Sequence, residues 1–163
     1  MSEFEIIRNH FSRDYDRSDI NVGVGDDGAI LNIDQMIGSQ LVVSTDTIVE
    51  QTHFPEGTVP GNIARRAMCI NLSDMAAMGA LPLWFTLSLT LPGDKANEEW
   101  LSEFSSGLFE IASRYNCALI GGDTTKGPLS VTICMFGYMP SNSGLKRSSA
   151  SVGDIIYLSG SIG

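Results

Sequence analysis

The sequence predicts an α+β domain, a mixed or antiparallel sheet with helices packed on one face. Residues 85–91 and 128–138 alternate in the manner of half-buried strands, with Leu129, Val131, Ile133 and Met135 apolar at every second position. Residues 60–79 and 97–115 instead carry apolar side chains three and four apart, as amphipathic helices do. Helical and strand-like segments follow one another along the chain, so both must share one core. At 163 residues, 43% hydrophobic and 18% charged, the chain can bury such a core.

Residues 3–11 place Phe4, Ile7 and Phe11 at helical spacing. Residues 12–21 have no period; Asp14, Asp16 and Asp19 alternate with Arg13 and Arg17 and read as a solvated loop. Gly23, Gly25 and Gly28 then frame Asp26 and Asp27, either as a plain turn or as a site where another group approaches the backbone. Strands are expected at 29–31 and 40–46, with 47–54 continuing extended. Pro60 suits a first helical turn and Gly79 a stop for the helix carrying Ile63, Ala67, Met68, Leu72 and Met75. Asn71 and Asp74 share one face of it, beside the apolar stripe. Asn97 is the expected cap of the second helix, whose stripe is Leu101, Phe104, Leu108, Ile111 and Ala112. A short strand at 117–120 runs into Gly121, Gly122, Asp123, Thr124 and Thr125. Residues 1–140 are expected to form one domain. Residues 141–163 read as a linker and the first strand of a truncated second domain, the strand at 153–160. The chain therefore reads as an N-terminal fragment.

The formal net charge of −9 disfavours nucleic-acid binding, and a phosphorylated ligand would need cations to approach. No apolar run is long enough to span a bilayer, and the acidic N-terminus lacks a basic-then-apolar leader, so a cytoplasmic location is expected. Cys69, Cys117 and Cys134 have no zinc-like spacing and read as buried free thiols.

The strand at 40–46 ends in Ser44, Thr45 and Asp46, an oxygen-rich end suited to a hard cation such as Mg²⁺. Asp27, Asp74 and Asp123 could converge on it at one rim of the sheet, where their mutual repulsion would demand divalent cations. The alternative is that each caps its own turn or helix. Arg147 and Lys126 are either phosphate-binding cations or ordinary surface charges. No P-loop and no protein-kinase motif set is present.

Val24–Asp27, Ser44–Thr47, His53-Phe54, Asn71–Ala80 and Gly121–Thr125, in that order and spacing, resemble the thiamine-monophosphate kinase family of the aminoimidazole-ribonucleotide-synthetase-like superfamily. The resemblance covers essentially the whole chain, and its weight lies in the 71–80 and 121–125 runs. It implies ATP-dependent phosphorylation of thiamine monophosphate to thiamine diphosphate by in-line transfer with several Mg²⁺ ions. It implies Asp27, Ser44, Thr45, Asp46, Asp74 and Asp123 as metal ligands, His53 as a substrate contact, and Gly122, Asp123 and Arg147 as ATP contacts. It makes residues 1–140 the ATP- and Mg-binding domain of a protein about twice this length, inactive or weak without the remainder. It also implies a homodimer whose sheets form a barrel, using the face that the helices leave open. The rival readings are another ATP-using superfamily member, or a dimerisation and metal-binding module without catalysis.

Overall fold

The structure, a computed structural model, describes residues 2–158, 160 and 161. Helix α1 (Glu3–Ile6) starts with a capping box, Ser2 accepting from the Glu5 amide while the Glu5 carboxylate takes the Ser2 amide. A π-helical turn, Ile7–Phe11, follows. The wider turn moves the buried face to Ile6, His10 and Phe11, so Phe4, expected on the apolar stripe, is exposed. Strands β1 (Ile20–Val22) and β2 (Ile30–Leu31) form a small antiparallel ribbon.

The main sheet contains β3 (Ser39–Val49), β4 (Leu81–Leu91), β5 (Ala118–Lys126) and β6 (Ser130–Pro140), in the order β3-β6-β4-β5. β6 is antiparallel to both β3 and β4, whereas β5 runs parallel to β4. The parallel pair is joined by helix α3 (Glu98–Arg114), as a parallel connection requires. Asn97 caps α3 by accepting from the Trp100 amide at 3.0 Å. Helix α2 (Pro60–Met78) begins on its proline and closes at Gly79, which is left-handed. The expected mixed α+β sheet, with helices on one face, is the fold observed.

Alternation decides what the helices cover. Val42, Ile48, Phe85, Leu87, Leu89, Val131, Ile133 and Met135 are buried with α2 and α3. The opposite face carries Leu41, Val43, Thr45 and Thr47 on β3, all exposed, and half-buried Thr132, Cys134 and Phe136 on β6. Cys134 is thus on the open face, and Cys69 is exposed because its apolar neighbours in sequence point to other sides of α2. Only Cys117 is buried as expected, and burial pushes its thiol up to about 11, which leaves it inert at neutral pH.

The helices meet closely where Gly107 of α3 faces Gly61 of α2. A Cβ on Gly107 would stand 2.4 Å from the Gly61 carbonyl oxygen and 2.7 Å from its Cα. Gly107→Ala is therefore expected to push the helices apart and cost on the order of 3 kcal/mol, read as a lower denaturation midpoint.

The open face is not bare throughout. Tyr15, Ile20, Leu31 and Met36 cover Trp84, Ala118 and Ile120 at one end of β4 and β5. The segment before β1 is pinned there: the Leu119 amide donates to Tyr15 Oη at 3.0 Å, and Arg17 Nη1 donates to the carbonyls of Leu83 and Asn116. Asp19, expected in a solvated loop, is 6% exposed. Its carboxylate accepts from Arg17 Nε at 2.9 Å and from Trp84 Nε1 at 2.8 Å. The alternating charges that read as surface are, at this one acid, a buried pair. Ile155, Ile156, Tyr157 and Leu158 lie exposed and form no strand, since no neighbouring strand offers them hydrogen bonds; Ser159 of that expected strand lies outside the described residues.

Candidate functional site

Two groups of the expected residues come together, at opposite edges of the sheet. The first is the seam between β3 and α2. Period-two alternation puts Ser44 and Asp46 on the helix-covered face of β3, both half-buried, and Thr45 on the other face. β3 runs on to Val49, so Ser44, Thr45 and Asp46 lie mid-strand rather than at its expected end, and Ser44 Oγ donates to Asp74 Oδ2 at 2.7 Å, tying β3 to α2 directly. Asn71, one turn before Asp74, is fully buried; its Nδ2 donates to the Ala67 carbonyl and its Oδ1 has no partner among the described residues.

β3 then turns at residues 50–54 rather than staying extended. The Val49 amide donates to His53 Nδ1 at 3.1 Å, while the His53 amide donates back to the Val49 carbonyl at 2.8 Å. With Nδ1 accepting, the ring proton sits on Nε2, and exposed His53 offers an N–H to a ligand. Gln51 holds a left-handed conformation, φ 63°, and its amide closes the turn on the Phe54 carbonyl. Lys95 pairs with Glu50 beside it.

The second group lies at the β5 edge. A cavity of about 430 Å³ is walled by the Val24–Gly28 loop on one side and Gly121–Thr124 on the other, with Phe4, Ile7 and Phe11 as its apolar wall. Asp27 and Asp123 both line it and both are exposed. Gly122 sits at φ 151°, where a Cβ would overlap the Leu87 carbonyl oxygen. Arg147 is exposed on a short 3₁₀ turn, Arg147–Ser149, after β6, and no described contact joins it to either group.

Magnitude separates the two groups within one chain. β3 and β5 are three strand spacings apart, roughly 14 Å. An Mg²⁺ ion binds oxygens at about 2.1 Å, so one ion cannot bridge both edges. Among the described residues no three His, Cys, Asp or Glu side chains come together. The donor set of the first seam nonetheless suits a hard cation: a hydroxyl and two carboxylates, with no sulfur or imidazole among them. Asn71 shares the helix face of Asp74 but is not among the expected metal ligands. Its signal in the sequence was an amide inside an otherwise apolar helical stripe.

A helix-backed mixed sheet with glycine-framed aspartates at one edge and an oxygen-rich stretch of strand at the other defines the class. Residues 25–139 match the family described as AIR synthase related protein, N-terminal domain, and the chain belongs to that family. Within it, the chain is similar to the thiamine-monophosphate kinase of Salmonella typhimurium strain LT2, 48% identical over 162 residues, covering 99% of this chain and 49% of that protein. The crystal structure of thiamine-monophosphate kinase from Stenotrophomonas maltophilia K279a superposes with a TM-score of 0.78 at 44% identity, covering 85% of this chain and 43% of that one. A structure described as AaThiL complexed with AMPPCP and TMP gives a TM-score of 0.60 at 28% identity, over 63% of this chain and 33% of that one. The chain spans about half the length of the curated relatives it matches.

Proposed function

We propose that this chain is the nucleotide- and metal-binding part of a kinase that transfers the γ-phosphoryl group of ATP in line to thiamine monophosphate, giving thiamine diphosphate. The reading is carried by the oxygen-rich seam of Ser44, Asp46 and Asp74, in a chain that aligns along nearly its whole length with thiamine-monophosphate kinases. It is supported by a relative of the same fold bound to AMPPCP, a non-transferable ATP analogue, together with TMP.

Ser44, Asp46 and Asp74 would hold Mg²⁺ on the α2 side of β3, with the Thr45 hydroxyl offered on the other face of the same strand, and Asp27 and Asp123 would hold it at the opposite edge. The ions supply neutralisation of phosphate charge, without which a chain of net charge −9 repels both substrates. The chain's own residues do the positioning. The Ser44–Asp74 hydrogen bond fixes the seam, the Val49–His53 exchange aims His53 Nε2–H at the substrate, and Gly122 with Asp123 borders the nucleotide. Arg147 engages the ATP phosphates from the linker that starts at residue 141. Residues 141–163 lead into a second domain that covers Ile155, Ile156, Tyr157 and Leu158.

A homodimer completes the site. β3 and β5 are both edge strands, and the open face between them exposes Leu41 and Val43. Setting the β3 edge of one copy against the β5 edge of another closes a barrel. It brings Asp27 and Asp123 of one copy to Asp46 and Asp74 of the other. The enzyme works in the cytoplasm, where ATP and Mg²⁺ are at hand.

Complementation tests this arrangement in the protein carrying both domains. Asp74→Asn and Asp123→Asn are each expected to lower thiamine diphosphate formation at least about a hundredfold. Mixed and allowed to re-assort, the two should recover about a quarter of wild-type activity, because half the dimers then hold one intact site of two. No recovery, with heterodimers demonstrated, would place both aspartates in a site made by one copy.

A further inference from the structure

Asn71 sits in the middle of α2 with 0% of its surface exposed, between the buried residues Met68, Leu72 and Met75. Its Nδ2 donates to the Ala67 carbonyl at 3.1 Å, which fixes the amide, and its Oδ1 meets no donor. An unpaired buried amide oxygen is destabilising, and a leucine would fill the same space without it. A water at that oxygen would supply the missing hydrogen.

The helix geometry shows where Asn71 lies. α2 runs antiparallel to β3: Gly79, at its C-terminal end, packs on Leu145, just beyond the end of β6, where Pro140 pairs with Ser39 at the start of β3. Asp74 meets Ser44, and Asn71 lies three residues, about 4.5 Å, back toward the helix start. Asn71 therefore stands opposite the Ser44–Asp46 stretch, on the face of β3 that points at α2. The groups there cannot serve it. The Ser44 hydroxyl hydrogen is given to Asp74, and no donor among the described residues reaches the amide oxygen. A hydrated cation brings both charge for the carboxylates and water hydrogens for the amide, and Mg²⁺ in particular keeps several of its waters.

We propose that Asn71 Oδ1 is the outer-sphere acceptor for a water of the divalent cation held by Ser44, Asp46 and Asp74, which makes Asn71 a positioning residue of that site. The inference rests on the cation reading above and extends it to a residue that touches the ion only through water. It makes the metal site and the α2 core one unit: the cation satisfies the polar atom that the core leaves unpaired.

Calorimetric titration of the protein with MgCl₂ alone, paired with thermal melts with and without Mg²⁺, tests it. Asn71→Leu is expected to melt no lower than wild type without Mg²⁺, yet to bind Mg²⁺ roughly tenfold to a hundredfold more weakly. Asn71→Ser, which keeps a hydroxyl acceptor and leaves room for a second water, should fall between them, and it carries the test should the leucine variant not fold. Unchanged Mg²⁺ affinity in the variants would overturn the role of Asn71 while leaving the cation site standing. A lower melting point of Asn71→Leu without Mg²⁺, with the titration unchanged, would mark a trapped structural water and overturn it too. A wild type that binds no Mg²⁺ would remove the cation reading itself.

Discussion

Gly122→Ala is expected to lose more than about 4 kcal/mol of stability, the range in which a substitution defeats its site outright. The backbone there is at φ 151°, and an added Cβ would lie 1.9 Å from the Leu87 carbonyl oxygen and 2.7 Å from its carbon. Neither side can yield. Leu87 belongs to β4, which is paired on its other side with Ile133 of β6, so moving it breaks two ladders at once. Gly121→Ala, one residue earlier, meets nothing within 4 Å and should stay within about 0.5 kcal/mol of wild type. Urea denaturation of the pair checks the contrast, and equal midpoints would disprove it. The glycine run thus has a reason that precedes any ligand: its second member lets β5 lie against β4, and Asp123 is carried to the cavity on that contact.

Arg17→Met should cost roughly 3–5 kcal/mol at neutral pH, because it leaves the buried Asp19 carboxylate with the Trp84 indole as its remaining side-chain partner. The pH dependence distinguishes this from lost packing. In the wild type, hydrogen bonds from the Arg17 guanidinium hold the Asp19 carboxyl below its usual range, against the opposing effect of burial. A depressed carboxylate contributes stability that is present above the unfolded value, about 3.9, and is lost as pH falls through the folded one. Without Arg17 the same carboxyl is relieved by taking up a proton. The stability gap between variant and wild type is therefore expected to be widest near pH 7 and to narrow below about pH 4. A gap constant across that range, measured by denaturant titration, would point to packing alone. Function should follow stability here, since Arg17 and Asp19 anchor the ribbon whose loop carries Asp27.

Local signals set the helix boundaries. α2 begins and ends where Pro60 and Gly79 say it should, and α3 starts after Asn97, because caps and periodicity act within a few residues. Two of the failures share a cause in distant contacts, and the third is a local change of helix type. Asp19 looked solvated because its partner Trp84 lies 65 positions away in sequence. Residues 153–158 have strand composition but no strand, since a strand is defined by its neighbour. Phe4 missed the core because a π-helical turn shifts the helical phase by a fraction of a turn.

The same division runs through the site. Residue chemistry is written in the sequence: oxygen donors at 44–46, aspartates in glycine frames at 27 and 123, a helix aspartate at 74 with an amide three residues before it. Alternation along β3 further dictates that Ser44 and Asp46 face α2 while Thr45 does not. Tertiary structure alone decided which of these meet. The strand order β3-β6-β4-β5 sends Asp46 and Asp123 to opposite edges, and the packing of α2 on β3 buries the Asn71 oxygen without a donor. Both outcomes depend on contacts between segments far apart in the chain, whose register and direction no local pattern encodes.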